Sequence, residues 1–111
     1  MAPRPLVTQV ELSPIDRLVG SYVDRARALP QVETIILDGP IPGEGRIWTI
    51  ISSPPFVVTH RAAVYDAQAE ALRAVPDAAI DFRLVNLQEL AQDPVTVLPD
   101  GPVLYQRPHP R

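Results

Sequence analysis

Apolar and polar residues change period several times along this chain, and each change predicts an element. Ile15, Leu18, Val19, Tyr22, Val23, Ala26 and Leu29 recur three and four apart, the spacing of one helical face. Ser13 stands ahead of them as a favoured N-cap, Pro14 takes the first helical position, and Asp16 completes a capping-box-like pattern. Pro30 ends this helix, and Gly20 inside it suggests close packing on a sheet. A second helical period runs from Arg61 to Val75 with Thr59 as its cap. Val64, Ala67, Gln68, Ala71, Leu72 and Val75 trace its buried side.

Between the helices the period falls to that of strands. Thr34–Leu37 and Ile47–Ser52 are rich in β-branched residues and joined by a Gly/Pro-rich connection, which reads as a hairpin. Trp48 shares a face with Ile50 and Ser52, opposite Ile47, Thr49 and Ile51. Ala79–Val85 alternates cleanly, with Ile80, Phe82 and Leu84 on one side and Asp81, Arg83 and Val85 on the other. Asn86 with Glu89 resembles a cap opening a helical turn through Leu90 and Ala91. Asp100-Gly101 predicts a turn, and Val103–Gln106 a last short strand. Leu6–Leu12 is a further candidate strand. The expectation is one α+β domain over residues 1–111, a small mixed sheet with two long helices on one face. Short proline-containing tails lie at 1–5 and 107–111.

Composition narrows the chemistry. At 111 residues and 46% apolar content the chain can bury a modest core unaided. It has no cysteine, which excludes disulfides, thiolate nucleophiles and Cys-ligated metals. All ten basic residues are arginine, so Schiff-base lysines, P-loop lysines and Ser-Lys dyads are excluded too. A net charge of −3 argues against nucleic acid as the partner. No segment reaches the length and apolarity of a membrane span, and the N-terminus lacks the apolar run of a signal peptide. A cytoplasmic protein is expected, and the arginine-, alanine- and proline-rich composition suggests a GC-rich bacterial source.

The order helix, strand, hairpin, strand, helix, strand, short helix and final VLY segment is similar to the minimal nucleotidyltransferase domain. Val32–Gly39 (VETIILDG), Ala79–Val85 (AIDFRLV), Leu87–Leu90 (LQEL) and Asp100–Tyr105 (DGPVLY) carry the resemblance, which covers most of the chain from Ser13 onward. It implies a nucleotidyltransferase-like core. It also implies a Gly-Ser, an Asp-x-Asp and a third carboxylate that together hold two divalent metals against nucleotide phosphates. Here Pro40 follows Gly39 where the serine belongs, and Arg46-Ile47-Trp48 takes the Asp-x-Asp place. Asp81 alone stands where the third carboxylate belongs, with Asp38 and Glu44 as the nearest substitutes. The resemblance therefore implies a relative without its metal site, and it permits the role of the family's antitoxins, which pair with helical toxins. A competing architecture follows if Leu6–Leu12 is a strand: the order becomes β-α-β-β-α-β, the ferredoxin-like pattern, which would suit a small-ligand-binding domain.

No catalytic residue, metal or cofactor is expected on this reading. The candidate binding residues are Trp48, the extended exit Pro54-Pro55-Phe56, Arg61 and Tyr65, forming an apolar lip for another protein or a second copy of the chain. Arg46, Asp81 and Arg83 form a candidate polar cluster on the sheet. Ser52 and Ser53 lie near His60 in sequence, but no oxyanion loop accompanies them for a hydrolase. The function expected is a non-catalytic binding or self-associating module; the alternative is a nucleotidyltransferase with a rearranged carboxylate set.

Overall fold

The computed structural model describes residues 13–38, 45–90 and 98–108. Helix α1 (Pro14–Ala26) is followed by strands β1 (Val32–Asp38) and β2 (Gly45–Ile51), helix α2 (Val58–Ala74), strand β3 (Ile80–Asn86), a 3₁₀ turn at Leu87–Glu89 and strand β4 (Val103–Gln106). The four strands form one mixed sheet in the order β3-β2-β1-β4. β1 pairs antiparallel with both β2 and β4, whereas β2 and β3 run parallel with α2 as their crossover. The α+β class, the mixed sheet and the two helices agree with the sequence reading. The candidate strand Leu6–Leu12 and the turn around Pro40 and Glu44 lie outside the described residues.

The parallel pair also decides between the two architectures. A split βαβ unit places another strand between the two that its helix connects. Here β2 and β3 pair directly from Gly45↔Ile80 to Ile51↔Asn86, so nothing splits them. The ferredoxin-like alternative is corrected on this point.

Both helices cover one face of the sheet. Leu18, Tyr22 and Ala26 of α1 and Val64, Ala67 and Ala71 of α2 are buried against Ile35, Ile47 and Ile51, with Phe82 and Leu84 packed alongside. Each large aliphatic side chain fully buried there contributes roughly 1.5–3 kcal/mol. Tyr22 joins the layers: its ring lies 5.0 Å from that of Phe82, and its hydroxyl is 2.6 Å from Thr49 Oγ1. Burial pushes the Tyr22 phenol above its ordinary value, and hydrogen bonds to Thr49 and Gln68 partly offset this.

Several local expectations are met, and others are corrected. Ser13 Oγ accepts from the Asp16 amide at 3.1 Å, so α1 begins as its cap predicts. α2 instead begins at Val58, three residues early, with Val57 at its N-cap and no side-chain cap. The Pro54-Pro55 step sets this start, because the Val57 amide donates back to the Pro54 carbonyl at 3.0 Å and turns the chain into the helix. Thr59 therefore sits inside the helix, and Leu72, expected on the buried side, is exposed. No described residue packs within 4 Å of where a Gly20 Cβ would stand. Gly101 forms no turn; it lies flat against β1, where a Cβ would run into the Leu37 carbonyl oxygen. There the Leu37 amide donates to the Pro102 carbonyl at 2.9 Å, which extends the β1–β4 pairing.

The two glycines therefore respond oppositely to the same change. Gly20→Ala removes backbone freedom from the unfolded chain without a clash and raises stability by about 0.5–1 kcal/mol. Gly101→Ala forces β4 off β1 and lowers stability by at least about 2 kcal/mol. Urea denaturation of the two variants checks both, and equal effects would contradict the packing described.

Candidate functional site

Two polar groupings stand out, on different sides of the sheet. The first forms at the carboxyl ends of the parallel strands, where α/β sheets commonly build their sites. Asn86 ends β3 opposite Ile51, so its side chain reaches Ser53, just beyond the end of β2. Asn86 Oδ1 accepts from the Ser53 amide at 3.1 Å, and Asn86 Nδ2 donates to the Ser53 carbonyl at 2.8 Å. The side chain thus pairs with Ser53 as a strand backbone would. The same oxygen caps the 3₁₀ turn by accepting from the Gln88 amide at 3.2 Å, and the amide nitrogen also donates to Glu89 Oε1 at 3.0 Å. The cap predicted for Asn86 is present, and the turn it opens ends at Glu89.

Around that pair the ends of four elements are tied together. Ser53 Oγ and His60 Nδ1 are 2.7 Å apart. Gln31, just before β1, donates from Nε2 to the His60 carbonyl at 2.9 Å and accepts the Ser52 amide on its own carbonyl at 2.9 Å. Gln88 Nε2 donates to Ser52 Oγ at 3.0 Å, and Arg61 pairs with Glu89. Serine and histidine in contact invite comparison with a nucleophile and its base. Two features argue for a structural role instead. Ser53 is only 1% exposed, and its amide, which would have to serve an oxyanion, is spent on Asn86. The grouping holds the start of α2 against the sheet.

The second grouping lies on the sheet face away from the helices. The register sets Arg46 beside Asp38 on one neighbour and Asp81 on the other, and Trp48 beside Ile36 and Arg83. Arg46 Nε donates to Asp81 Oδ2 at 3.1 Å, and Arg46 Nη1 lies 3.8 Å from Asp38 Oδ2. Arg83 reaches the same Asp81 oxygen through Nε at 3.0 Å and Nη2 at 2.9 Å. These side chains are about half exposed, so each pair contributes well under ~1 kcal/mol. The cluster expected from the sequence is thus assembled as cross-strand pairs. Trp48 is half-buried, and its indole N–H is buried with no hydrogen-bond partner among the described residues.

The binding residues expected to form one lip are divided by the sheet. Phe56 is almost wholly exposed, Pro54 and Pro55 are exposed beside it, and Tyr65 stands half-exposed on the outer side of α2. Trp48 points from the opposite face and cannot share a surface with them. Arg61 is engaged by Glu89 at the first turn of α2. Sequence reasoning missed the joint made by Asn86 and Ser53, because the signal is one asparagine ending an alternating strand 33 residues from its partner.

The two divalent metals that the nucleotidyltransferase resemblance implies do not fit this donor set. Arg46 and Trp48 occupy the positions at which that resemblance would put two carboxylates, and the carboxylates beside them already hold guanidinium groups. Among the described residues, no group of three or more histidine, aspartate or glutamate side chains is placed to hold a metal ion.

Asn86→Ala leaves the Ser53 amide and carbonyl unpaired in a buried place and lowers stability by about 2–3 kcal/mol. Asn86→Asp is nearly as costly, since its second oxygen faces the Ser53 carbonyl and Glu89. Chemical denaturation measures both, and a loss below about 0.5 kcal/mol for either would contradict this account of the joint. Comparison of the chain with protein-family models, curated proteins and solved structures finds no match.

Proposed function

We propose that this chain is a non-catalytic binding module of nucleotidyltransferase-like descent that works by docking, on another protein or on itself. One observation carries the reading: where the family resemblance would place a metal-ligating carboxylate, Asp81 is held by Arg46 and Arg83. A guanidinium fixed beside Asp81 supplies positive charge at that point without an exchangeable coordination sphere, so it can neutralise a carboxylate but cannot activate a hydroxyl. The alternative, an enzyme with rearranged carboxylates, would have to draw on Asp38 and Asp81. Arg46 bridges these two at 3.8 and 3.1 Å. Docking is supported by the exposure of Phe56 and Tyr65, large apolar groups that a free-standing surface gains nothing by displaying. Antitoxin-type pairing with a helical protein is one form this role takes in the family resembled.

Thermal unfolding with ATP and Mg²⁺ tests the reading. A site with a Kd one-hundredth of the ligand concentration adds about 2.7 kcal/mol, or about 10 °C in Tm for a chain of this size. The expected shift is within about 1 °C, with or without Asp81→Ala. A Mg²⁺-dependent rise of several degrees that Asp81→Ala abolishes would establish the enzyme instead.

A further inference from the structure

Helix α2 is apolar on two sides. Val64, Ala67 and Ala71 bury one side against the sheet. On the other side Val58, Ala62, Tyr65, Ala69 and Leu72 fall within about 80° of arc at 100° per residue. Val58 is 71% exposed, Tyr65 51% and Leu72 38%, and Phe56, just before the helix, is 93% exposed. The large residues repeat every seven positions and the alanines repeat every seven between them. The line alternates ridge and hollow along the whole helix.

We infer that this ridge is where two copies of the chain meet, α2 against α2 and antiparallel. The inference rests on the docking-module reading and names its surface and its partner. The argument is self-complementarity. If two α2 helices run antiparallel about an axis level with residues 63 and 64, Tyr65 of each copy enters the hollow at Ala62 of the other. Val58 enters the hollow at Ala69, and Leu72 meets Pro55 and Phe56. Alanine at both hollows lets the backbones approach closely. A parallel pairing would instead oppose Tyr65 to Tyr65 and align the helix dipoles unfavourably. Of the charges bordering the ridge, Arg73 is paired with Glu70 and Arg61 with Glu89 within each copy, and the exposed Asp66 stands at its edge beside Ala62.

The area suffices. At these exposures the ridge and Phe56 offer about 500 Å² per copy, so complete cover of both copies removes about 1,000 Å², the size a specific interface has to reach. An interface of that size is of the weak, transient kind, reversible on dilution.

Sedimentation velocity from about 5 to 500 µM is the first test. The wild-type chain shifts from monomer to dimer across that range. Tyr65→Glu, a change at an exposed site, stays monomeric throughout and melts where the dilute, monomeric wild-type chain does. Orientation is read by cross-linking, since the chain has no cysteine of its own. Ala62→Cys places two thiols about 5 Å apart along the helix axis, within reach of a short bis-maleimide, whereas Ala69→Cys places them about 16 Å apart. The first variant links and the second does not. A wild-type chain monomeric at the highest concentration, a dimer indifferent to Tyr65→Glu, or equal linking of both cysteine variants overturns the inference. The two readings fail separately: a strict monomer that ignores Mg²⁺-ATP leaves the docking module standing with a different partner, whereas Mg²⁺-dependent nucleotide binding removes the module reading whatever the oligomeric state.

Discussion

The direct parallel pairing of β2 with β3 places nearly every feature of interest. A parallel neighbour requires a crossover, and α2 supplies it by lying along the helix-bearing face of the sheet. Because α1 already covers part of that face, α2 buries only one side and keeps the other outward. The same register sets Arg46 against Asp81, Trp48 against Arg83 and Ile51 against Asn86. A slip of one residue would turn Asp81 and Arg83 toward the core and carry Phe82 out of it. The salt-bridge cluster, the strand-end joint and the outward ridge of α2 therefore share one cause.

Within that frame, the polar groups described join one element to another. Tyr22 and Thr49 meet inside the core, where an unpaired hydroxyl would be costly and a paired one aligns α1 over β2. Asn86 serves Ser53, Gln88 and Glu89 at once, so one side chain ends a strand, caps a turn and anchors the segment leading into α2. His60, the sole histidine among the described residues, is drawn into the same joint through Ser53 and Gln31. In this chain, groups that elsewhere act as nucleophile, base or metal ligand mostly find partners within the fold.

What the sequence disclosed follows the range of the interactions. The Ser13 cap, the alternation of Ile80, Phe82 and Leu84, and the strand ending at Gln106 are local, and each was legible. The true start of α2 was hidden because two prolines and a backbone turn set it, not a capping side chain. Gly20 misled because a glycine in a helix signals close packing only when something approaches it, and no described residue does. Gly101 was read as a turn residue, though its need is room against β1. The faces of β2 were assigned correctly, but alternation cannot tell which face the helices choose. By sequence Trp48 therefore belongs with Phe56 and Tyr65, though the sheet separates it from them. The cluster of Arg46, Asp81 and Arg83 was legible since all three fall on one side of neighbouring strands.

The central claim is that guanidinium groups occupy the carboxylates of Asp38 and Asp81 and keep cations off them. Manganese(II) titration followed by nuclear magnetic resonance addresses it most directly, because the paramagnetic ion broadens only nearby amides. The account predicts that Asp38, Arg46, Trp48, Asp81 and Arg83 broaden no more than the exposed surface around Asp66. Selective loss of the Asp38 and Asp81 signals at low manganese would contradict it.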